Sequence, residues 1–118
     1  MAKLTTVTPT IKGDVVVPVA STPAGDTVPF TGGDLLLMFD NGHSASITVE
    51  IAPTKTTGII AGAGIADIPT RSLVLAAGAK GAILFRGGDA SAYVNASRLI
   101  PITYTSGNAL LTVLPIAL

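Results

Sequence analysis

The sequence predicts an all-β domain: an antiparallel β-sandwich of jelly-roll-like or Greek-key order with roughly seven to nine short strands. Three observations predict it. Thirteen Gly and eight Pro punctuate 118 residues, and the runs between them are rich in Val, Ile, Leu and Thr, the pattern of strands bounded by turns. No window places apolar residues at i, i+3, i+4 and i+7 as an amphipathic helix would; residues 61–68 are Ala-rich, but Gly62 and Gly64 weaken them as a helix. Parallel strands need helical crossovers, and none is readable, so the sheets are expected to be antiparallel.

The elements follow in order. Residues 4–8 alternate apolar and polar until Pro9, which cannot donate to a ladder. Within a single domain spanning 1–118, residues 1–12 therefore read as an N-terminal arm or edge strand. Residues 14–20 are a second strand candidate, with Val15, Val16 and Val17 ahead of Pro18. Residues 21–33 read as loop, broken by Pro23, Gly25, Pro29 and Gly32-Gly33. Leu35, Leu36, Leu37, Met38 and Phe39 form an apolar run long enough for a buried strand. A turn at residues 40–43 follows, because Asn41 and Gly42 accept positive φ cheaply. Residues 46–51 then alternate, with Ile47, Val49 and Ile51 on one face; the pair reads as a hairpin with one buried face.

Residues 53–67 form a long connection, the kind that is usually functional or packed on a neighbour, with Ile59-Ile60 as a short strand inside it. Strands at 72–75 and 80–85 flank a turn at Ala76-Ala77-Gly78, and Gly87-Gly88-Asp89 ends the second. Residues 92–94 read as a short extended piece. Residues 99–105 and 109–118 make a final hairpin around Ser106-Gly107-Asn108. The segment Phe30-Thr31-Gly32-Gly33-Asp34 echoes Phe85-Arg86-Gly87-Gly88-Asp89, but Leu35-Leu36-Leu37 against Ala90-Ser91-Ala92 breaks the match. The echo reads as two turns of similar composition.

Composition narrows the function. The net charge is zero and 12% of residues are charged, against about 25% in ordinary domains. Hydrophobic residues make up 48%. A surface so poor in charge tends to self-associate, so much of it is expected to be covered by copies of the chain or by a partner. The seven Lys and Arg are dispersed from Lys3 to Arg98, which argues against a nucleic-acid partner, since binding needs clustered cations. No leader pattern precedes the Thr-rich start, and no run reaches about 18 apolar residues. The expectation is therefore no membrane partner and a chain made and folded in a cytoplasm. The absence of Cys suits a reducing compartment.

The inventory for chemistry is thin. Without Cys, thiol catalysis and thiolate metal sites are excluded. His43 is the one histidine; it reads as a solvated turn residue, with no partner His for zinc and no Gly-x-Ser-x-Gly elbow for a triad. Asp14, Asp26, Asp34, Asp40 and Asp89 sit beside Gly or Asn or in turn-like sequence and read as turn formers; Glu50 and Asp67 complete the acids. No D-x-D-x-D-G calcium loop occurs, and Gly62-Ala63-Gly64-Ile65-Ala66-Asp67 lacks the third Gly of a dinucleotide fingerprint. Phe39 and Phe85 are assigned to the core, and Tyr93 and Tyr104 to its edge. No catalytic, cofactor-binding or metal-ligating residue is named, and no cofactor is expected.

One resemblance rests on the order of strand endings and turns: Phe39-Asp40-Asn41-Gly42, then Ser46-Ile47-Thr48-Val49-Glu50-Ile51, then Asp67-Ile68-Pro69-Thr70-Arg71, the turn Ala76-Ala77-Gly78-Ala79, and the closing pair around Ser106-Gly107-Asn108. This resembles head decoration, or capsid cement, proteins of tailed bacteriophages, over residues 32–118. The resemblance implies a non-enzymatic virion protein on the capsid exterior, assembled in the host cytoplasm. It implies two partners: the major capsid protein, whose adjacent subunits it clamps, and its own copies, as a homotrimer on local three-fold axes. Residues 4–8 could then add to a neighbour's sheet edge. The alternatives are a phage tail or fibre-associated domain, a carbohydrate-binding module, which the lack of Trp disfavours, and a small hydrolase.

Overall fold

A computed structural model describes residues 2–8, 17–30, 32–54, 57–60, 64–86 and 90–118, with the backbone alone described at 57–60 and 64–67. The described strands are β1 (Ala2–Lys3), β2 (Val19–Ala20), β3 (Asp26–Pro29), β4 (Leu35–Asn41), β5 (Ile47–Ile51), β6 (Thr57–Ile60), β7 (Gly64–Asp67), β8 (Arg71–Leu75), β9 (Lys80–Phe85), β10 (Leu99–Thr105) and β11 (Leu111–Ala117). One sheet has the order β1-β3-β10-β5-β8 and the other β2-β11-β4-β9, while β6 and β7 form a two-stranded sheet of their own. The pairing is antiparallel except at β1–β3.

The pairs β2/β3, β4/β5, β8/β9 and β10/β11 are each consecutive in sequence, and each is split between the two sheets. The order β3-β10-β5-β8 therefore faces β2-β11-β4-β9, strand over sequential strand. That is the arrangement of an eight-stranded jelly roll, so the expected all-β sandwich is present with its strand order now assigned.

The two predicted hairpins are not hairpins, and the turn at 76–78 does not make one either. The strands at 35–41 and 47–51, at 71–75 and 80–85, and at 99–105 and 111–117 do not pair with each other; each turn is an arch that carries the chain from one sheet across the core to the other. The reason lies in what the two strands bury. Leu35, Leu37 and Phe39 point inward from β4, and Ile47, Val49 and Ile51 point inward from β5. Stacked across the core these faces cover each other, which side-by-side pairing could not do. A turn rich in Asn and Gly suits either geometry.

Three further expectations are corrected. Residues 26–29, read as loop, form β3, with Val28 fully buried and paired to Ile100. The long connection 53–67 contains an antiparallel strand pair, β6–β7, and Ile59-Ile60 falls in the first of the two strands. Residues 92–94 are turn and irregular chain, beginning in the turn that Tyr93 closes by donating its N–H to the Ala90 carbonyl at 2.9 Å. Pro9, Lys12-Gly13, Asp14, Val15-Val16, Gly62-Ala63 and Gly87-Gly88-Asp89 lie outside the described residues.

The described N-terminal segment folds back on its own sandwich. Ala2–Lys3 extends the sheet beside β3, Leu4 is buried in the core, and Val7 bridges β11, donating to Pro115 O at 3.0 Å and accepting from Ala117 N at 2.8 Å. Pro115 can sit inside β11 because its N, which lacks hydrogen, faces this short-stranded side and not β4.

All four arches gather at one end. Asn41, fully buried, directs Nδ2 at Leu75 O (3.0 Å), Ala76 O (3.1 Å) and Ala45 O (3.0 Å), and its Oδ1 accepts from His43 N. One amide thus ties the β4/β5 arch to the β8/β9 arch. Gly42 N donates to Leu110 O, and Ser21 Oγ to Asn108 O, which connect the other two arches. Gly107 packs so closely on Pro23 that a Cβ would lie 2.8 Å from its carbonyl oxygen.

A second buried polar contact pins β3 to β10. Asp26, at the start of β3 and fully buried, accepts from Thr22 N at 3.1 Å and from Tyr104 Oη at 2.7 Å. Asp26 is therefore more than a turn former: it spans a turn and a sheet. Burial first, and then the hydrogen bond to Asp26 and its charge, hold the Tyr104 phenol far above its ordinary 10.0. A raised folded value means stability that is complete below the unfolded value of about 10 and declines as pH rises beyond it. Tyr104→Phe is expected to cost about 2 kcal/mol at pH 8. That difference should narrow in urea unfolding above about pH 10, where the native phenol loses its advantage.

Candidate interface

The two outer faces of the sandwich differ in chemistry. On the five-stranded sheet, the burial alternation and register turn Thr27, Thr48, Glu50, Ser72, Thr103 and Thr105 outward. Polar residues predominate here and bond to one another, Thr105 Oγ1 donating to Glu50 Oε1 at 2.8 Å, with Val74, Leu99, Pro29 and Pro101 as the apolar outward positions.

On the four-stranded sheet the outward positions fall in three rows. Leu84, Leu36 and Ile116 form one row, Ala82, Met38 and Leu114 the next, and Lys80, Asp40 and Thr112 the last. Two rows of three are entirely apolar. Met38 is 44% exposed and Leu84 40%, although an outward strand face ordinarily carries polar residues. Val17 (70%) and Val19 (45%) add exposed apolar surface near the same sheet. Pro18, Met38, Ala82 and Leu114 line a depression of about 410 Å³ on this face, with Asp40 and Lys80 at its end. Their ion pair is long, 3.8 Å, and exposed, so it contributes little to stability.

Sequence reasoning took β4 for a buried strand. It is buried on one side only: Leu37 and Phe39 are in the core, while Leu36 and Met38 face out. The signal was present, because the unbroken apolar runs at 35–39 in β4 and 113–117 in β11 differ from the alternation in β5. What was missing was the observation that nothing among the described residues covers the second side of β4.

No acid cluster or histidine constellation forms among the described residues, where no group of three or more His, Cys, Asp or Glu could hold a metal. Asp26 is consumed by Tyr104 and Thr22, Asp40 lies beside Lys80 in β4 and not in a turn, and Glu50 accepts from Thr105. His43 is half-buried in the β4/β5 arch. The aromatic assignments to the core hold for Phe39 and Phe85. Tyr93 goes further than the edge: it is buried, tilted against Phe85 at 5.3 Å between centroids, and donates Oη to Pro69 O at 2.7 Å. The Arg71 guanidinium lies 5.9 Å from the Phe85 ring and 5.7 Å from the Tyr93 ring, and its Nε donates to Tyr93 Oη. No described helix is long and apolar enough to cross a membrane.

No protein-family model, curated protein or solved structure matches the chain.

Proposed function

We propose that the chain is a structural virion protein, without catalytic activity, that binds the outer surface of a phage capsid and stabilises it by clamping adjacent major capsid subunits. The observation that carries this reading is the apolar outer face of the four-stranded sheet, with Leu36, Met38, Leu84 and Ile116 presented on a rigid jelly roll. Contiguous exposed apolar surface on a folded domain marks a contact site. Low total charge suits a surface that is covered in its working state. Many modest contacts repeated over a shell add through multivalency, so no single deep pocket is needed. The resemblance to head decoration proteins points to the same role, with the host cytoplasm as the place of assembly and the capsid exterior as the destination.

The test places a charge on the face without touching the core. Met38→Lys and Leu84→Lys change outward, exposed positions and should alter folding stability by no more than about 0.5 kcal/mol. Each is expected to lower affinity for expanded capsid shells by roughly tenfold or more, about 1.4 kcal/mol per contact. Unchanged shell binding by both variants would remove this face from the interface. Binding to purified tails in place of shells would move the protein to a tail or fibre role.

A further inference from the structure

The two side edges of the sandwich are finished differently. On one side the N-terminal segment closes the sheets with two-residue strands, β1 and β2, the Val7 bridge and Pro18. Short strands and Pro are common ways of blunting an edge. On the other side β8 and β9 end their sheets with five and six residues. Neither contains Pro, and Lys80 and Arg71 at their starts are their only charges.

The direction of the β9 backbone can be worked out. Leu118 N donates to Asp34 O, and Gly42 N to Leu110 O, so the even-numbered residues of β4 bond toward β11. Asn41 N donates to Ala79 O, so the odd-numbered ones bond toward β9. On β9 it follows that Gly81, Ile83 and Phe85 use their N–H and C=O groups on β4. Lys80, Ala82 and Leu84 direct theirs away from the sheet, and no backbone bond among the described residues takes them.

We infer that this edge is where a second copy of the chain adds, β9 to β9, antiparallel about a two-fold axis through Ala82. The edge is self-complementary in that register. Ala82 pairs with Ala82, and Lys80 with Leu84 in both directions, so all three outward-directed residues of each copy find hydrogen-bonded partners. The faces match as well. Outward side chains meet outward ones, with the Lys80 stem beside Leu84. On the inner face Ile83 meets Gly81 of the second copy, large against small. The result is one eight-stranded sheet, β2-β11-β4-β9 continued into β9-β4-β11-β2. On its outer surface the apolar middle row, Leu114, Met38 and Ala82, runs straight into the same row of the second copy, while each Leu84 row continues into the Lys80 row of the other copy. This pairing is two-fold, where the resemblance alone implies a three-fold assembly, and it does not depend on what the face binds.

The test is the solution mass of the full chain by sedimentation equilibrium, combined with two variants. The wild-type chain is expected to associate as a dimer. Ala82→Pro removes an N–H that β4 does not use and places the ring at the open edge, where Pro is tolerated. It should stay folded by circular dichroism and weaken dimerisation by at least roughly tenfold. Ala82→Cys supplies the chain's only thiol. A hydrogen-bonded antiparallel pair has a Cα–Cα distance of about 5.5 Å, within disulfide reach, so mild oxidation should give a covalent dimer. Val74→Cys, also exposed but on the other edge strand, β8, should not. A wild-type monomer at every concentration, a trimer, or equal cross-linking by the two cysteine variants would overturn the pairing. Failure of a confirmed dimer to bind shells would remove the capsid reading and leave the pairing intact.

Discussion

Asn41→Asp should be among the most damaging substitutions in this protein, costing about 3–5 kcal/mol. The Asn41 amide is fully buried and gives its hydrogens to carbonyl oxygens of three residues in two different arches. A carboxylate of the same shape has no hydrogen to give. It would face Leu75 O, Ala76 O and Ala45 O at about 3 Å, acceptor against acceptor, with no cation among the contacts of Asn41. Folding must then either bury a repelled charge or bind a proton. The folded pKa of the introduced group would be raised, so the penalty should shrink as pH falls toward the unfolded value of about 4. Asn41→Ala, which leaves the carbonyls unpaired but adds no charge, should cost less, about 2–3 kcal/mol. Urea unfolding of the three proteins at pH 7 and pH 4 measures both the order and its pH dependence. Equal stabilities for Asn41→Asp and the native chain at pH 7 would mean that the arches are not held through this amide.

Phe85→Ala should cost about 3–5 kcal/mol by a different route. Phe85 is fully buried at the end of β9, facing Leu35 across the ladder and Tyr93 from the loop that follows. Its removal opens a cavity, ends the ring contact, and strips Arg71 of one of the two rings over which it lies. The connection between β9 and β10 then keeps the Tyr93 hydroxyl contacts to Pro69 and Arg71 and the Thr54 bonds to Ala92 O and Val94 O, but loses its ring packing. Phe85→Leu, which retains most of the volume, should recover more than half of the loss. Thermal unfolding of the pair separates packing from position, and a loss as large for Leu as for Ala would implicate ring geometry over volume.

The strands were more legible than their partners. Alternation marked Ile47, Val49 and Ile51 as one buried face, and the residues at 35–39, 80–85 and 99–105 carry β4, β9 and β10 close to their observed limits. Pairing was not legible, because a turn such as Asn41-Gly42 closes a hairpin and an arch equally well. The choice depends on strands far away in the chain: β4 is satisfied by β11 and β9, not by β5. The β3 strand was hidden by Pro29 at its last position and Gly25 just before it, both tolerated because they fall at the strand's ends. Asp26 was legible as a polar residue near a turn, but its partner Tyr104 lies 78 positions away.

The candidate interface was half legible. Composition foretold a surface that needs covering, and the continuous run at 35–39 foretold a strand apolar on both sides. Which side the molecule itself covers is a tertiary fact. Leu37 and Phe39 meet the opposite sheet, while Leu36 and Met38 stand among Leu84, Leu114 and Ile116 on the outer side, where Met38 and Leu84 are exposed and Leu114 is buried.

The claim that this chain reinforces a capsid is tested most directly by adding it to undecorated, expanded capsid shells and measuring the temperature at which they disrupt. The account predicts saturable binding and a higher disruption temperature, with Met38→Lys giving neither. An unchanged disruption temperature, with the protein left in the supernatant after the shells are pelleted, would contradict it.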